Sequence, residues 1–315
     1  MVASRRPICL PNIIRPFYLT KLIFFSRILP RGGDTMRRFY DDIPDVPFVY
    51  REALNIPKKV NFGLEFELDK IDPDEVYKLV RKNMGSSWIV KSDDSLTKGE
   101  NAEIVSPVLQ NNKETWVMLK RLAELFQKID ASYDKCSFQV NFDGSLLPRD
   151  ADKVNFLKLF AMYEDIIFRF SKGDDKEFRE SIEMHAAPII LALKGALSIS
   201  DSAAIHMFSN QKRYGVTFKN LKNDLIEFRS PNMTNNPIYW QNYISTFYYL
   251  LEASKKGKYD KTLVDEYING FARIYILEGY EREREEKARE FVKTIFPSGV
   301  DKSYFMHQYR GQNKK

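Results

Sequence analysis

From Val60 to Leu68 the chain alternates with period two. Val60, Phe62, Leu64, Phe66 and Leu68 are apolar, and Gly63, Glu65 and Glu67 stand among the residues between them. Period two is the signature of a strand with one buried face. The five apolar side chains must then point into a core, which leaves Glu65 and Glu67 side by side on the opposite face. Two carboxylates held that close repel each other unless a cation lies between them. Mg2+, a hard ion that prefers carboxylate oxygen, suits such a pair. The solvent face of an edge strand would carry the same acids with no ligand at all, so the choice depends on what recurs downstream.

Further strands are predicted at Trp88–Lys91, Ala102–Ser106, Cys136–Phe142, Tyr214–Phe218 and Asp224–Arg229. Helical periodicity runs through Pro73–Met84, where Asp72 is the N-cap and Asp74 and Glu75 lie in the first turn. It returns over Trp116–Ile129, Val154–Phe170 and Pro237–Leu251. Ser181–Leu197 reads as a helix bent or started by Pro188. Thr262–Phe296 reads as a charged helix whose Glu281–Glu286 run is a solvated face. Short turns at Asp93-Asp94 and Lys222-Asn223-Asp224 join neighbouring strands as antiparallel hairpins. Strands and helices so mixed predict an α+β fold, an antiparallel sheet with helices packed on one face.

Composition bears on partners. The net charge of +6 is accounted for by Arg5, Arg6, Arg15, Lys21, Arg27 and Arg31, all ahead of the first acid, Asp34. Residues 34–315 therefore sum to zero, and the body exerts no global pull on nucleic acid. Residues 1–35 are basic and broken by Pro7, Pro11, Pro16 and Pro30, which fits neither a signal sequence nor an amphipathic transit helix. They read as a disordered leader, or as sequence ahead of a natural start at Met36. The organisation expected is this leader, a catalytic domain over 36–255 and a charged helical segment over 256–315. Cys9 and Cys136 are too few for a disulfide framework, and no apolar run is long enough for a membrane helix, so a cytoplasmic protein is expected.

The acids recur. Glu103 sits on the Ala102–Ser106 strand, and Glu227 and Arg229 share a face of Leu225-Ile226-Glu227-Phe228-Arg229. Charges on otherwise apolar strands are costly unless something common neutralises them. A polyphosphate with bound magnesium would do so: carboxylates hold the metal, and Arg229 grips a phosphoryl group through its planar fork. Ion pairs across the strands are the plainer alternative.

These residues also carry a resemblance. Phe62-Gly63-Leu64-Glu65-Phe66-Glu67 resembles the opening motif of the amidoligase family, within the carboxylate–amine ligase superfamily that includes glutamine synthetase and γ-glutamylcysteine synthetase. Asp93-Asp94-Ser95-Leu96 followed by Ala102-Glu103-Ile104-Val105-Ser106-Pro107 is similar to its second block. Leu225-Ile226-Glu227-Phe228-Arg229, with the Asn232–Asn235 turn and a helix after it, is similar to its third. The resemblance spans about Asn61 to Leu251. It implies a glutamine synthetase-like catalytic domain that uses ATP and Mg2+. Glu65, Glu67, Glu103 and Glu227 become metal ligands, and Arg229 a catalytic phosphate contact. Asp94 becomes a loop carboxylate that helps hold metal or deprotonates an amine. The implied reaction joins a small-molecule or peptide carboxylate to an amine through an acyl phosphate.

One departure stands out. Where the family carries His-x-His, this chain has Gln139 and Asn141 in Phe138-Gln139-Val140-Asn141-Phe142. An amide oxygen of Gln139 can ligate Mg2+, and Asn141 can donate to ATP phosphate, but neither carries a histidine's charge. A catalytically degenerate relative that binds a nucleotide or a peptide is therefore the alternative. A two-metal nuclease is a further rival, disfavoured by the neutral body. His185, His206 and His307 lie away from these motifs and read as structural or exposed.

Overall fold

Among the described residues seven strands form one sheet: β1 (Asn61–Asp69), β2 (Ile89–Lys91), β3 (Asn101–Val105), β4 (Leu109–Gln110), β5 (Phe138–Asp143), β6 (Val216–Lys219) and β7 (Leu225–Phe228). Their order is β2-β3-β1-β5-β7-β6, with β4 paired to the start of β1, and the strand pairs are all antiparallel. The structure is a computed structural model and describes residues 43–175, 177–209, 211–219, 224–271 and 284–311. Residues 43–315 form one compact unit. The leader 1–35, most of the Lys222–Asp224 turn and the first half of the Glu281–Glu286 run lie outside the described residues.

The alternation in β1 does what period two requires. Phe62, Leu64, Phe66 and Leu68 are buried on one face, joined there by Ile104 of β3, Phe138, Val140 and Phe142 of β5, and Ile226 and Phe228 of β7. Four helices cover this apolar face or its margins: α1 (Pro73–Met84), α2 (Lys113–Phe126), α3 (Asp150–Ser171) and α7 (Pro237–Lys256). The sheet meets α7 through aromatic contacts. Phe228 stacks on Phe247 at 4.2 Å between ring centroids, and Phe66 meets Trp240 edge-on at 4.9 Å. Such pairs add about 0.5–1.5 kcal/mol each beyond the area they bury.

Local signals place the helix ends. Asp72 caps α1 by accepting from the Asp74 amide at 2.9 Å, and Asn112 caps α2 by accepting from the Thr115 amide at 2.9 Å. α7 stops at Gly257, whose φ of 61° is a left-handed conformation that glycine adopts without steric cost. α3 starts four residues earlier than its apolar periodicity predicts. Asp152 accepts from the Arg149 backbone amide and side chain, which closes the first turn ahead of the apolar stripe.

The helix expected over Ser181–Leu197 is two helices, α4 (Ile182–His185) and α5 (Ile190–Leu197). Pro188 has no amide to donate and disfavours helical backbone at Ala187. Ala187 instead bridges to Tyr214 in parallel. α6 (Asp201–Phe208) follows and leads to the edge strand β6. The long helix expected over 262–296 is likewise divided among the described residues into α8 (Lys261–Gly270) and α9 (Glu285–Ile295), and α10 (Gly299–Gly311) comes after them.

α9 and α10 pack on the far side of α3 and α7, where Phe170 stacks on Phe305 at 4.3 Å and Tyr163 meets Phe291 at 5.1 Å. This is why α3 is buried nearly all round. Among the described residues no helix is long and apolar enough to cross a membrane.

Candidate functional site

Residues directly opposed in an antiparallel pair point to the same face. Glu67 opposes Glu103, and Glu103 opposes Lys91. Glu65 opposes Gln139. Asn141 opposes Gly63 on one side and Glu227 on the other, and Glu227 opposes Thr217. Register alone thus gathers Glu65, Glu67, Glu103, Gln139, Asn141 and Glu227 onto the face away from the aromatic core. Arg229, one residue beyond β7, returns to the same row. Its Nη1 donates to Gln139 Oε1 at 2.9 Å and lies 3.2 Å from Glu227 Oε1.

The row is far less open than its charges suggest. Glu67 is 5% exposed, Glu103 4%, Gln139 2% and Glu227 fully buried. Much of the neutralisation expected from magnesium and phosphate is supplied by the chain itself. Lys91 pairs with Glu103 at 3.0 Å. Lys219 lies 2.5 Å from Glu227 and 4.0 Å from Glu65. Glu67 accepts from the Ser137 amide at 2.6 Å, the Ser137 hydroxyl at 2.5 Å and Gln139 Nε2 at 3.2 Å. Ion pairs across strands, the plainer sequence alternative, are therefore present.

Titration follows from these contacts. Burial pushes the Glu103 carboxyl up to about 8, and the hydrogen bond it shares with Glu65 adds to the shift. Burial also pushes Glu65 upward, but hydrogen bonds from Glu103 and Asn141 and the charge of Lys219 outweigh it and hold Glu65 below its ordinary value. The two carboxyls share a hydrogen bond, and of the pair Glu103 holds a proton the more tightly.

Two features are left over. Glu227 Oε1 meets the Lys219 ammonium at 2.5 Å and Arg229 Nη1 at 3.2 Å, but Glu227 Oε2 has no hydrogen-bond partner among the described residues. Asn141 donates Nδ2 to Glu65 at 2.7 Å, yet its own Oδ1 is buried without a partner among the described residues. Unpartnered buried oxygens are costly. Carried by directly opposed residues of β5 and β7, they are hard donors of the kind Mg2+ takes. Glu65, Asn141 and Glu227 therefore fit a hard divalent cation by donor chemistry. Glu67 fits less well, because the backbone and side chains of β5 and its approach already occupy both its oxygens. Among the described residues no three His, Cys, Asp or Glu side chains form a ready-made metal cage.

The other expected residues fall elsewhere. Asp94 is exposed in the loop after β2, and it makes no hydrogen bond or ion pair among the described residues. The structure thus does not join it to the row. His185 contributes its backbone carbonyl to Arg229 Nε at 3.1 Å. His307 lies 3.4 Å from Asp45, and His206 is exposed.

Three contributors escaped sequence reasoning. Lys91 and Lys219 were legible in principle, since each falls on the charged face of its strand's alternation. Arg179 was not. It is 3% exposed and donates to the carbonyls of Arg229, Ser230 and Pro231 at 2.7, 3.0 and 3.0 Å, which fixes the chain where it leaves β7. Burial pushes its guanidinium down to about 10, against the favourable charge of Glu67. No protein-family model matches the chain, and no curated protein matches it significantly.

Proposed function

We propose that this chain is an ATP- and Mg2+-dependent carboxylate–amine ligase of the amidoligase kind, built on a glutamine synthetase-like catalytic sheet. The observation that supports the reading most is the register. Three motifs far apart in sequence bring Glu65, Glu67, Glu103, Glu227 and Arg229 onto one face of one sheet. Glu65, Asn141 and Glu227 would hold the metal, with Glu103 beside Glu65. Bound Mg2+ would supply charge neutralisation for a polyphosphate. Arg229 keeps Nη2 free of hydrogen bonds among the described residues, so that one arm of its fork remains for a phosphoryl oxygen. Gln139 holds the guanidinium in place and takes the position of the family's first histidine. The reaction proposed is attack of a substrate carboxylate on the ATP γ-phosphate, then displacement of phosphate by an amine. In such transfers the protein mainly positions and neutralises.

A second reading has its own observation. Lys91, Lys219 and Arg229 already pair with the carboxylates, and Gln139 and Asn141 replace histidines. A degenerate relative that binds a nucleotide or peptide without turnover would have such a self-neutralised row. Calorimetric titration with Mg-ATP, together with ADP release measured across panels of carboxylates and amines, separates the two. ADP release that needs both a carboxylate and an amine, and that Glu227→Gln abolishes, supports the ligase. Mg-ATP binding without turnover supports the degenerate relative, and a folded protein that binds no Mg-ATP refutes the ligase.

A further inference from the structure

Lys219 ends the edge strand β6, two residues after Thr217, and so lies on the charged face. Its ammonium is 2.5 Å from Glu227 Oε1 and 4.0 Å from Glu65 Oε1, two carboxylates carried on different strands. We infer that Lys219 is a built-in counter-cation, an ammonium seated between Glu227 and Glu65 that a divalent ion must displace in order to bind. The inference rests on the reading of this row as a metal site, and deepens it by naming what controls occupancy.

The local chemistry is that of a seat better suited to a metal than to an amine. Glu227 is fully buried; its Oε1 meets the ammonium at 2.5 Å, and its Oε2 has no hydrogen-bond partner among the described residues. Asn141 Oδ1, on the neighbouring strand, is buried with no donor among the described residues. An ammonium neutralises one charge and needs its three protons aimed at acceptors. A divalent cation brings twice the charge and accepts oxygen donors directly, including the amide oxygen that Lys219 leaves unused.

The lysine is also able to leave. Its side chain is 27% exposed, whereas Glu227 has no exposure, and β6 is the last strand in the sheet order. The four-carbon stem can swing its head to water without breaking a ladder hydrogen bond. Occupancy then becomes an exchange. With the lysine in place the row is neutralised without metal, and with the lysine out Glu65, Asn141 and Glu227 face the ion.

Calorimetric titration with Mg2+ alone, on the parent and on Lys219→Met, tests this. The variant is expected to bind at least about tenfold more tightly, the size of one removed competing charge at a partly buried site. Its melting temperature is also expected to rise more steeply with Mg2+ than the parent's. In the parent, reductive methylation read by mass spectrometry should label Lys219 faster when millimolar Mg2+ is present. Equal affinities, or tighter binding by the parent, would overturn the inference while leaving the metal site standing. If both folded proteins bind no Mg2+, the inference and the metal-site reading fall together. Should Lys219→Met not fold, the labelling of the parent decides, and a rate unaffected by Mg2+ overturns the proposal.

Discussion

Replacing Arg179 by Met tests how the end of β7 is held. The guanidinium is buried, and three backbone carbonyls accept from it. Pro231 also accepts from the Phe138 amide at 3.1 Å and keeps that bond in the variant. The carbonyls of Arg229 and Ser230 lose the donor that Arg179 supplies, in a segment that is itself buried. Each orphaned acceptor costs about 1–3 kcal/mol. Removing a buried charge returns part of that, because the guanidinium was desolvated in the first place. A net loss of about 2–5 kcal/mol is expected for Arg179→Met. For a domain of this size each kcal/mol corresponds to roughly 2–4 °C in melting temperature. Urea denaturation of both proteins, with the slope checked for two-state behaviour, gives the difference directly. Arg179→Lys should recover part of the loss, since one ammonium can reach one carbonyl. A variant within about 0.5 kcal/mol of the parent, the usual range for an unremarkable surface change, would refute the account. It would mean that the carbonyls find other partners and that Arg229 is positioned by something else.

Gln139→Leu should cost about 1–3 kcal/mol of stability in the same assay, because Gln139 donates to Glu67 and accepts from Arg229 inside the sheet; a neutral change would show that those bonds are replaced. Glu103 carries a raised carboxyl value of about 8, so the stability it contributes is present in full below its ordinary value near 4.5 and is lost as pH rises through 8. Denaturation midpoints of the parent should fall over that window relative to Glu103→Gln, and parallel profiles would rule out the shared proton. Glu65, held low, acts with the opposite sign, its contribution being lost only as pH falls below 4.5. Under the ligase reading, Arg229→Lys keeps the charge but loses the planar fork, and ADP release should drop about 100- to 1000-fold, a transition-state contact of roughly 2.7–4 kcal/mol; near-normal turnover would remove Arg229 from the chemistry.

What the sequence alone determined is what period two can carry. In Val60–Leu68, Phe138–Phe142 and Leu225–Phe228, apolar residues at every second position commit one face of each strand to a core. The acids and amides between them are thereby committed to the other face, whatever the order of strands. The α+β class and the helices at Pro73 and Pro237 were legible for the same reason, since caps and periodicity act within a few residues. What alternation cannot say is which strand lies beside which, because register belongs to pairs of strands distant in the chain. Only the tertiary structure set Glu67 opposite Glu103 and Asn141 opposite Glu227. It also placed the Lys219 ammonium against two carboxylates and sent Arg179 from a loop to three carbonyls. The row was therefore predictable as a set of charges needing neutralisation. Ion pairing across the strands was legible as an alternative, but which lysine or arginine meets which carboxylate was not, because burial and pairing across 90 residues of sequence, as between Gln139 and Arg229, leave no local mark.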